Sequence, residues 1–378
     1  MIFKKNIVKV LLLSAAIAIA GLSCKTSVKN QTERYSADFQ SVIDAELTES
    51  IPGILLNVTA PAMGIDWSGA SGLNDWALGV PLQADQTFRI ASVTKTYVAA
   101  TVLRLWEENK LSLDDDITQY ISAEHTAILE RGGYNPNQIT IRHLLSHTSG
   151  LGDHTNSHKY TDEFLKSRHV WSRTETLIDL ITLMEPAGDI GAQFSYSDTG
   201  YVLLGEIIET ITGQTMGEAI VALLQLKELG LTDTYLEEFE GDYSGKRIHQ
   251  YYEGSDSYNY HPSFDYFGGG GLLSTTSDMS RFFHSLFNHK VFVNQSTLDT
   301  MLTSVLNGAE LPMDYRLGLW QIKVNGMDAY THSGFWGTQV LYIPEMDIAI
   351  SANYSQRWYN SRNAPVISKI IDVIERKR

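Results

Sequence analysis

The sequence predicts a mixed α/β (α+β) fold: an antiparallel sheet drawn from both chain ends, flanked by helices, with a mostly helical subdomain inserted. Three observations predict it. Short β-like runs broken by glycine occupy Ile51 to Ile90, helical spacing fills the middle, and alternation returns from Tyr315 to Ala352. Strands at both ends around a helical middle are most simply satisfied by one sheet closed by its two termini. A chain of 378 residues, 43% hydrophobic, has ample material to bury such a core. Length alone gives a soft prior of about two domains, but no linker separates independent units. The expected division is 1–23 as a leader, 24–36 as a polar tether and 37–378 as the folded domain, its helical subdomain at about 105–260.

The leader is read from Lys4, Lys5 and Lys9, followed by the apolar run Val10 to Ala20 and then Gly21-Leu22-Ser23-Cys24. A basic head with a short apolar run is a secretory signal layout, too short for a comfortable membrane span. Its end resembles a bacterial lipoprotein signal, with Gly21 where that pattern expects Leu. The resemblance implies that Cys24 is lipidated, and that the chain is exported to the periplasm or cell envelope and held to the membrane by a lipid anchor. Lys25 to about Ser36 is polar and reads as the tether.

In the folded part, Ile54-Leu55-Leu56-Asn57-Val58 and Thr87-Phe88-Arg89-Ile90 read as strands. Val98, Val102, Leu105 and Trp106 lie on one side of a helix over Val93–Asn109. Helices follow at Ile141–Leu145, Thr174–Met184, Tyr201–Ile211 and Asp278–Phe287, with Gly132-Gly133, Gly150 and Gly188 as breakers. Strands return at Tyr315–Val324, Thr338–Ile343 and Asp347–Ala352, with Pro344-Glu345 turning between the last two. A helix from Ala364 closes the chain.

Composition excludes several function classes. Twenty-nine Lys and Arg stand against 44 Asp and Glu, a net charge of −15, which repels phosphate backbones and argues against nucleic-acid partners. The single cysteine, Cys24, excludes an intramolecular disulfide framework and a cysteine-rich metal site.

Three short motifs carry chemistry. Ser92-Val93-Thr94-Lys95 follows a strand; at helical spacing Lys95 shares a face with the Ser92 hydroxyl. Serine is a weak nucleophile until a neighbour takes its proton, and a lysine in a dry pocket loses basicity. At a helix start the Ser92 backbone N–H points toward a developing oxyanion. Tyr196-Ser197-Asp198 offers a phenol that relays a proton among cations and a carboxylate two residues on. By itself it also reads as a turn capped by Asp198 or Thr199. His332-Ser333-Gly334 offers a polar side chain and an open backbone at a strand edge.

Together the motifs resemble the serine β-lactamase-like superfamily, the branch of class C β-lactamases, D-alanyl-D-alanine carboxypeptidases, D-aminopeptidases and related esterases. Phe88-Arg89-Ile90-Ala91-Ser92-Val93-Thr94-Lys95-Thr96 is similar to that family's nucleophile segment. Leu111-Ser112-Leu113-Asp114-Asp115 and Ile141-Arg142-His143-Leu144-Leu145-Ser146-His147-Thr148-Ser149-Gly150-Leu151 match its downstream stretches. Gly269-Gly270-Gly271-Leu272-Leu273-Ser274-Thr275 and Tyr342-Ile343-Pro344-Glu345 complete the set. The resemblance implies a β-lactamase/transpeptidase-like catalytic domain and a secreted serine hydrolase working through an acyl-enzyme, without cofactor or metal, on a small-molecule or peptide substrate. It assigns catalysis to Ser92, Lys95 and Tyr196, and the oxyanion hole to the backbone N–H groups of Ser92 and Phe335. Asp198, His332, Ser333 and Gly334 become substrate-binding or relay residues. The expected substrate is a peptide, amide or ester of D-amino-acid peptidase or esterase type. The alternatives are a true β-lactamase, or a catalytically weak envelope-binding protein that retains the fold.

Two departures bear on mechanism. Asp198 stands where the family's tyrosine motif usually ends in Asn, and a carboxylate beside Lys95 favours its ammonium form. Either Asp198 is turned away, or the proton relay is altered, or catalysis is lost. His332 stands where β-lactamases usually carry Lys, and a neutral imidazole attracts a substrate carboxylate less.

Other features read as structural. His143 and His147 are spaced to share a helix face as zinc ligands do, but Leu144 occupies the place of a catalytic Glu. Gly268 to Gly271 lacks the Gly-Lys-Ser/Thr of a phosphate loop and reads as close backbone packing. Tyr251, Tyr252, Tyr258, Tyr260, Tyr266 and Phe267 either line a cleft or pack a long loop, and their place before the glycine run favours the cleft wall.

Overall fold

The structure, a computed structural model, describes residues 31–166, 169–239, 246–304, 314–357 and 365–378. The leader, Cys24 and residues 25–30 of the tether lie outside the described residues. Residues 31–36, expected to belong to the tether, already form the first turns of a helix, because Tyr35, Phe39 and Ile43 at four-residue spacing give it an apolar face.

The strands are β1 (Gly53–Ala60), β2 (Ile65–Asp75), β3 (Val80–Pro81), β4 (Phe88–Arg89), β5 (Tyr235–Leu236), β6 (Tyr251–Tyr252), β7 (Ser255–Asp256), β8 (Leu272–Ser274), β9 (Asp314–Tyr315), β10 (Trp320–Val324), β11 (Met327–Gly334), β12 (Thr338–Ile343) and β13 (Ile348–Tyr354). The main sheet runs β3-β2-β1-β13-β12-β11-β10-β9. Its centre pairs the two chain ends: β1 lies antiparallel to β13, Leu56 opposite Ala352. A small sheet, β4-β8-β5, and the β6-β7 pair lie beside it.

The helices are α1 (31–44), α2 (Thr94–Glu107), α3 (Ala123–Arg131), α4 (Ile141–Leu145), α5 (His158–Lys166), α6 (Arg173–Leu183), α7 (Asp198–Thr212), α8 (Met216–Leu223), α9 (Thr276–Phe287), α10 (Gln295–Met301) and α11 (Pro365–Lys377). Seven, α2 to α8, lie between β4 and β5 and form the helical layer, which α2 opens. Short helices with few apolar positions, such as α3, escaped the sequence reading; α3 is started by its cap, Ser122 accepting from the His125 N–H.

Strand alternation sorts the core into two layers. Ile54, Leu56 and Val58 of β1, with Ile348 and Ile350 of β13, pack against α1 and α11. From α11, Ile367, Ile370, Ile371 and Ile374 meet them at the i, i+3, i+4, i+7 spacing of one helix face. Burying each such side chain stabilises the fold by roughly 1.5–3 kcal/mol. Leu55 points the opposite way, into the larger cluster that joins the sheet to α2, α7, α8 and α9. The sheet–α9 contact combines the stack of Phe287 on Tyr342 with small polar groups, Ser280 Oγ donating to Ser351 Oγ at 2.8 Å. Helix α2 is buried continuously from Thr94 to Leu105, so what precedes it is held between the sheet and the helical layer.

Candidate active site

Ser92 lies in a single 3-10 turn, Ala91–Val93, that joins β4 to α2. Ala91 before it has φ +46°, a left-handed conformation that an alanine adopts only when the surroundings over-determine it. The turn is pinned by Leu272 O accepting from the Ile90 N–H at 3.1 Å. One turn on, the fully buried Lys95 donates from Nζ to Ser92 Oγ at 3.1 Å, the shared face expected from their spacing.

Lys95 does not lose basicity as a dry pocket alone would dictate. Burial lowers its pKa, but the carboxylate of Asp198, aided by Tyr196 and Asp265, outweighs burial and holds it well above its ordinary value. Asp198 is therefore not turned away: it forms an ion pair with Lys95. The third ammonium bond goes to Gly269 O at 2.6 Å. Tyr196 brings its ring to 5.0 Å from Nζ. Burial pushes its phenol pKa up, while nearby Lys95 pulls the other way. The helix that follows is capped by neither Asp198 nor Thr199: Ser197 accepts from the Gly200 N–H, and Asp198 is left to face Lys95.

The far wall is the end of β11. Gly334 lies against the turn: a Cβ there would come within 2.2 Å of Ile90 O, so only glycine lets the two backbones meet. That approach places Phe335 against the aromatic cluster that includes Ala91. His332 is buried, its Nδ1 2.9 Å from Ser333 O and its Nε2 3.5 Å from the Tyr315 hydroxyl. Burial, then the charge of Lys95, lowers its pKa to about 3, so the ring is neutral at physiological pH.

The glycine run packs as expected. A Cβ at Gly269 would sit 3.0 Å from Asp198 Oδ1, and one at Gly270 would meet the Asp265 carboxylate at 2.0 Å. Missing side chains thus make room for two carboxylates near Lys95. The aromatic segment divides. Tyr252 stacks on Phe335 at 5.8 Å, and with Tyr260 and Phe267 it belongs to the cluster around Ala91. Tyr251 packs on Trp76, Tyr258 on His249 and Tyr266 on Phe239, so those three build loops instead.

His143 and His147 do not share a helix face, because α4 ends at Leu145 and His147 turns to φ +56°. His143 closes the capping box of its own helix. His147, which sequence reasoning left as structural, enters the site: its ring lies 4.3 Å from Tyr196, and its Nδ1 accepts from the Ser197 N–H at 3.1 Å. Asp153, Thr155 and Asp265 also reach the site, with no spacing signal that could have found them. Among the described residues, one group has the spacing of metal ligands, Glu163, His169 and Glu175. None of them is an expected site residue, and His169 Nε2 already bonds Glu175 Oε1 at 2.7 Å.

Fold and site together define a protein of the β-lactamase/transpeptidase fold with a serine and a lysine at the head of its central helix. The Beta-lactamase family model matches residues 39–372, and the chain belongs to that family. It is 28% identical to a penicillin-binding protein of Bacillus subtilis (strain 168), over 68% of this chain and 57% of that one. It is 32% identical to esterase EstB of Burkholderia gladioli, over 52% of this chain and 50% of the relative. The chain thus spans little more than half the length of these curated relatives. In structure it resembles the D-amino acid amidase of Ochrobactrum anthropi SV3 complexed with D-phenylalanine. That likeness has a TM-score of 0.76 at 22% identity and covers 91% of this chain and all of the amidase.

Proposed function

We propose that the protein is a serine hydrolase that acts through an acyl-enzyme on a peptide, amide or ester of D-amino-acid peptidase or esterase type. The observation that carries the reading is the Ser92 hydroxyl held 3.1 Å from the Lys95 amine in a strained turn at a helix start. In this reading Ser92 Oγ bonds to the substrate carbonyl carbon as its proton passes to the Lys95–Tyr196 pair and on to the leaving group. The N–H groups of Ser92 and Phe335 hold the oxyanion, each such donor contributing about 3–4 kcal/mol. Water then releases the acyl group. Relatives named as an esterase, a penicillin-binding protein and an amidase support this range of substrates.

The neutral His332 favours uncharged acyl donors over penicillins, whose carboxylate an imidazole attracts weakly. A second reading, a weakly catalytic envelope-binding protein, is favoured by the Lys95–Asp198 ion pair, which withholds a free amine from Ser92. Intact-mass measurement after incubation with a chromogenic acyl ester and, separately, a penicillin distinguishes them. An adduct on the wild type that is absent from Ser92→Ala supports the hydrolase; release of chromophore by Ser92→Ala at the wild-type rate discards it. The layout of residues 1–24 further supports an exported lipoprotein, for which fatty-acid labelling lost in Cys24→Ala is the test.

A further inference from the structure

Behind Lys95 the polar groups continue into the helical subdomain. Asp198 Oδ2 lies 3.3 Å from the Thr155 hydroxyl, which lies 2.8 Å from Asp153 Oδ1. A threonine hydroxyl has one proton. Bonded to two carboxylate oxygens, it donates to one, and the other contact is satisfied only if that carboxyl brings its own proton. Asp153 is the one placed to do so: it is buried and has no cation in contact with it among the described residues. Its other bond at Oδ1, from the Thr155 N–H at 3.0 Å, fixes its orientation.

We propose that Asp153 and Thr155 are positioning residues for the Ser92–Lys95 pair, and that the state of Asp153 decides which carboxylate the Thr155 hydroxyl serves. The inference rests on the hydrolase reading above. With Asp153 protonated, the chain runs Asp153 O–H to Thr155 O–H to Asp198, and the bond it receives makes Asp198 a poor proton acceptor. With Asp153 ionised, Thr155 turns to it, and Asp198 loses a donor and gains a like charge. Asp198 then takes a proton from Lys95 Nζ more readily. The free amine accepts the Ser92 hydroxyl proton as Oγ bonds to the carbonyl carbon, so Lys95 is again an ammonium and Asp198 holds the transferred proton. When the leaving group departs it receives a proton from Lys95, which Asp198 replenishes, and both return to their starting charges.

Burial, then the charge of Asp198, pushes the Asp153 pKa up to about 7, the range where such a switch is felt. The groups facing it support that placement. Lys95 and Asp198 approach from α2 and the start of α7, and Tyr160 from α5 stays a neutral phenol through burial. Asp179 of α6 is ion-paired to Lys159 of α5. His154 is lowered to about 4 by burial and adds no charge. Asp265 is itself pushed up to about 7 by burial and then by Asp198, so it is a second titrating neighbour that the experiment must hold constant.

The test is the pH profile of Ser92 acylation, read as burst rate with a neutral acyl ester between pH 5.5 and 9. Wild type and Thr155→Ser are expected to gain about tenfold through neutrality, and Asp153→Asn and Thr155→Val to vary less than about threefold. Asp153→Asn keeps the cap on the Thr155 N–H and Asp265 unchanged, so a flat profile is not a folding artefact; a melting temperature no lower than that of wild type at pH 5.5 checks this. A wild-type-like profile in both Asp153→Asn and Thr155→Val overturns the proposal. Absence of any Ser92 adduct in the wild type instead removes the hydrolase reading on which it rests.

Discussion

Lys95 is where two opposing forces meet. Taking an ammonium out of water is costly, yet a partly buried carboxylate in contact with it reverses the preference, and the ion pair is the outcome. Replacing Asp198 by Asn removes the counter-charge and keeps the shape. Burial then dominates, and the Lys95 amine is freed for Ser92. Asp198→Asn is expected to preserve or raise turnover of whichever ester acylates the enzyme, by up to about tenfold near neutrality. Steady-state rates across pH check it, and a fall of tenfold or more would mean that a desolvated Lys95 amine cannot replace the proton-accepting carboxylate. Both residues were legible as partners in the sequence. The neighbours that decide their charge, Thr155, Asp153 and Asp265, were not, since nothing in Asp153-His154-Thr155 looks different from a capped loop.

Elements bring these residues to one point through backbone approach more than through side-chain contact. The turn at Ala91–Val93 and the end of β11 touch because Gly334 has no Cβ to strike Ile90 O. Gly334→Ala forces them apart by several tenths of an ångström at least and shifts Phe335, the next residue, which the hydrolase reading assigns to the oxyanion hole. The expected result is a loss of about 10²–10³ in kcat/KM with the fold retained. Circular dichroism and the acylation rate measured together separate the two effects. The helices and strands were read well where periodicity was strong, as in α2, α7, β12 and β13. They were missed where caps rather than apolar stripes define the element, as in α3, and where a helix begins inside a polar stretch, as in α1.

Across the whole molecule, buried ionisable groups tie stability to pH in both directions. Asp153 and Asp265, raised to about 7 by burial and then by Asp198, hold protons that the unfolded chain releases near pH 4. Their contribution is present at low pH and is lost as pH rises from about 4 to about 7. His154 and His332, lowered to about 4 and about 3 by burial, act oppositely, stabilising as pH rises toward the ordinary imidazole range. Above pH 6.5 the imidazoles are spent and the carboxyls alone continue. Asp153→Asn is therefore expected to melt about 2–6 °C higher than wild type at pH 8 and within about 1 °C of it at pH 4. Differential scanning calorimetry at the two pH values checks it, and equal shifts at both would mean that the Asp153 pKa is not raised in the folded protein.

The sequence by itself determined the family, the sheet closed by both chain ends, the Ser92–Lys95 face and the glycine run, because periodicity and helical spacing act over a few residues. Only the tertiary structure decided the rest. Asp198 contacts Lys95, His147 faces Tyr196 and the Tyr252 ring covers Phe335 because distant segments pack against one another. The charge on a buried group is the sum over everything around it, and that sum does not exist until the chain has folded.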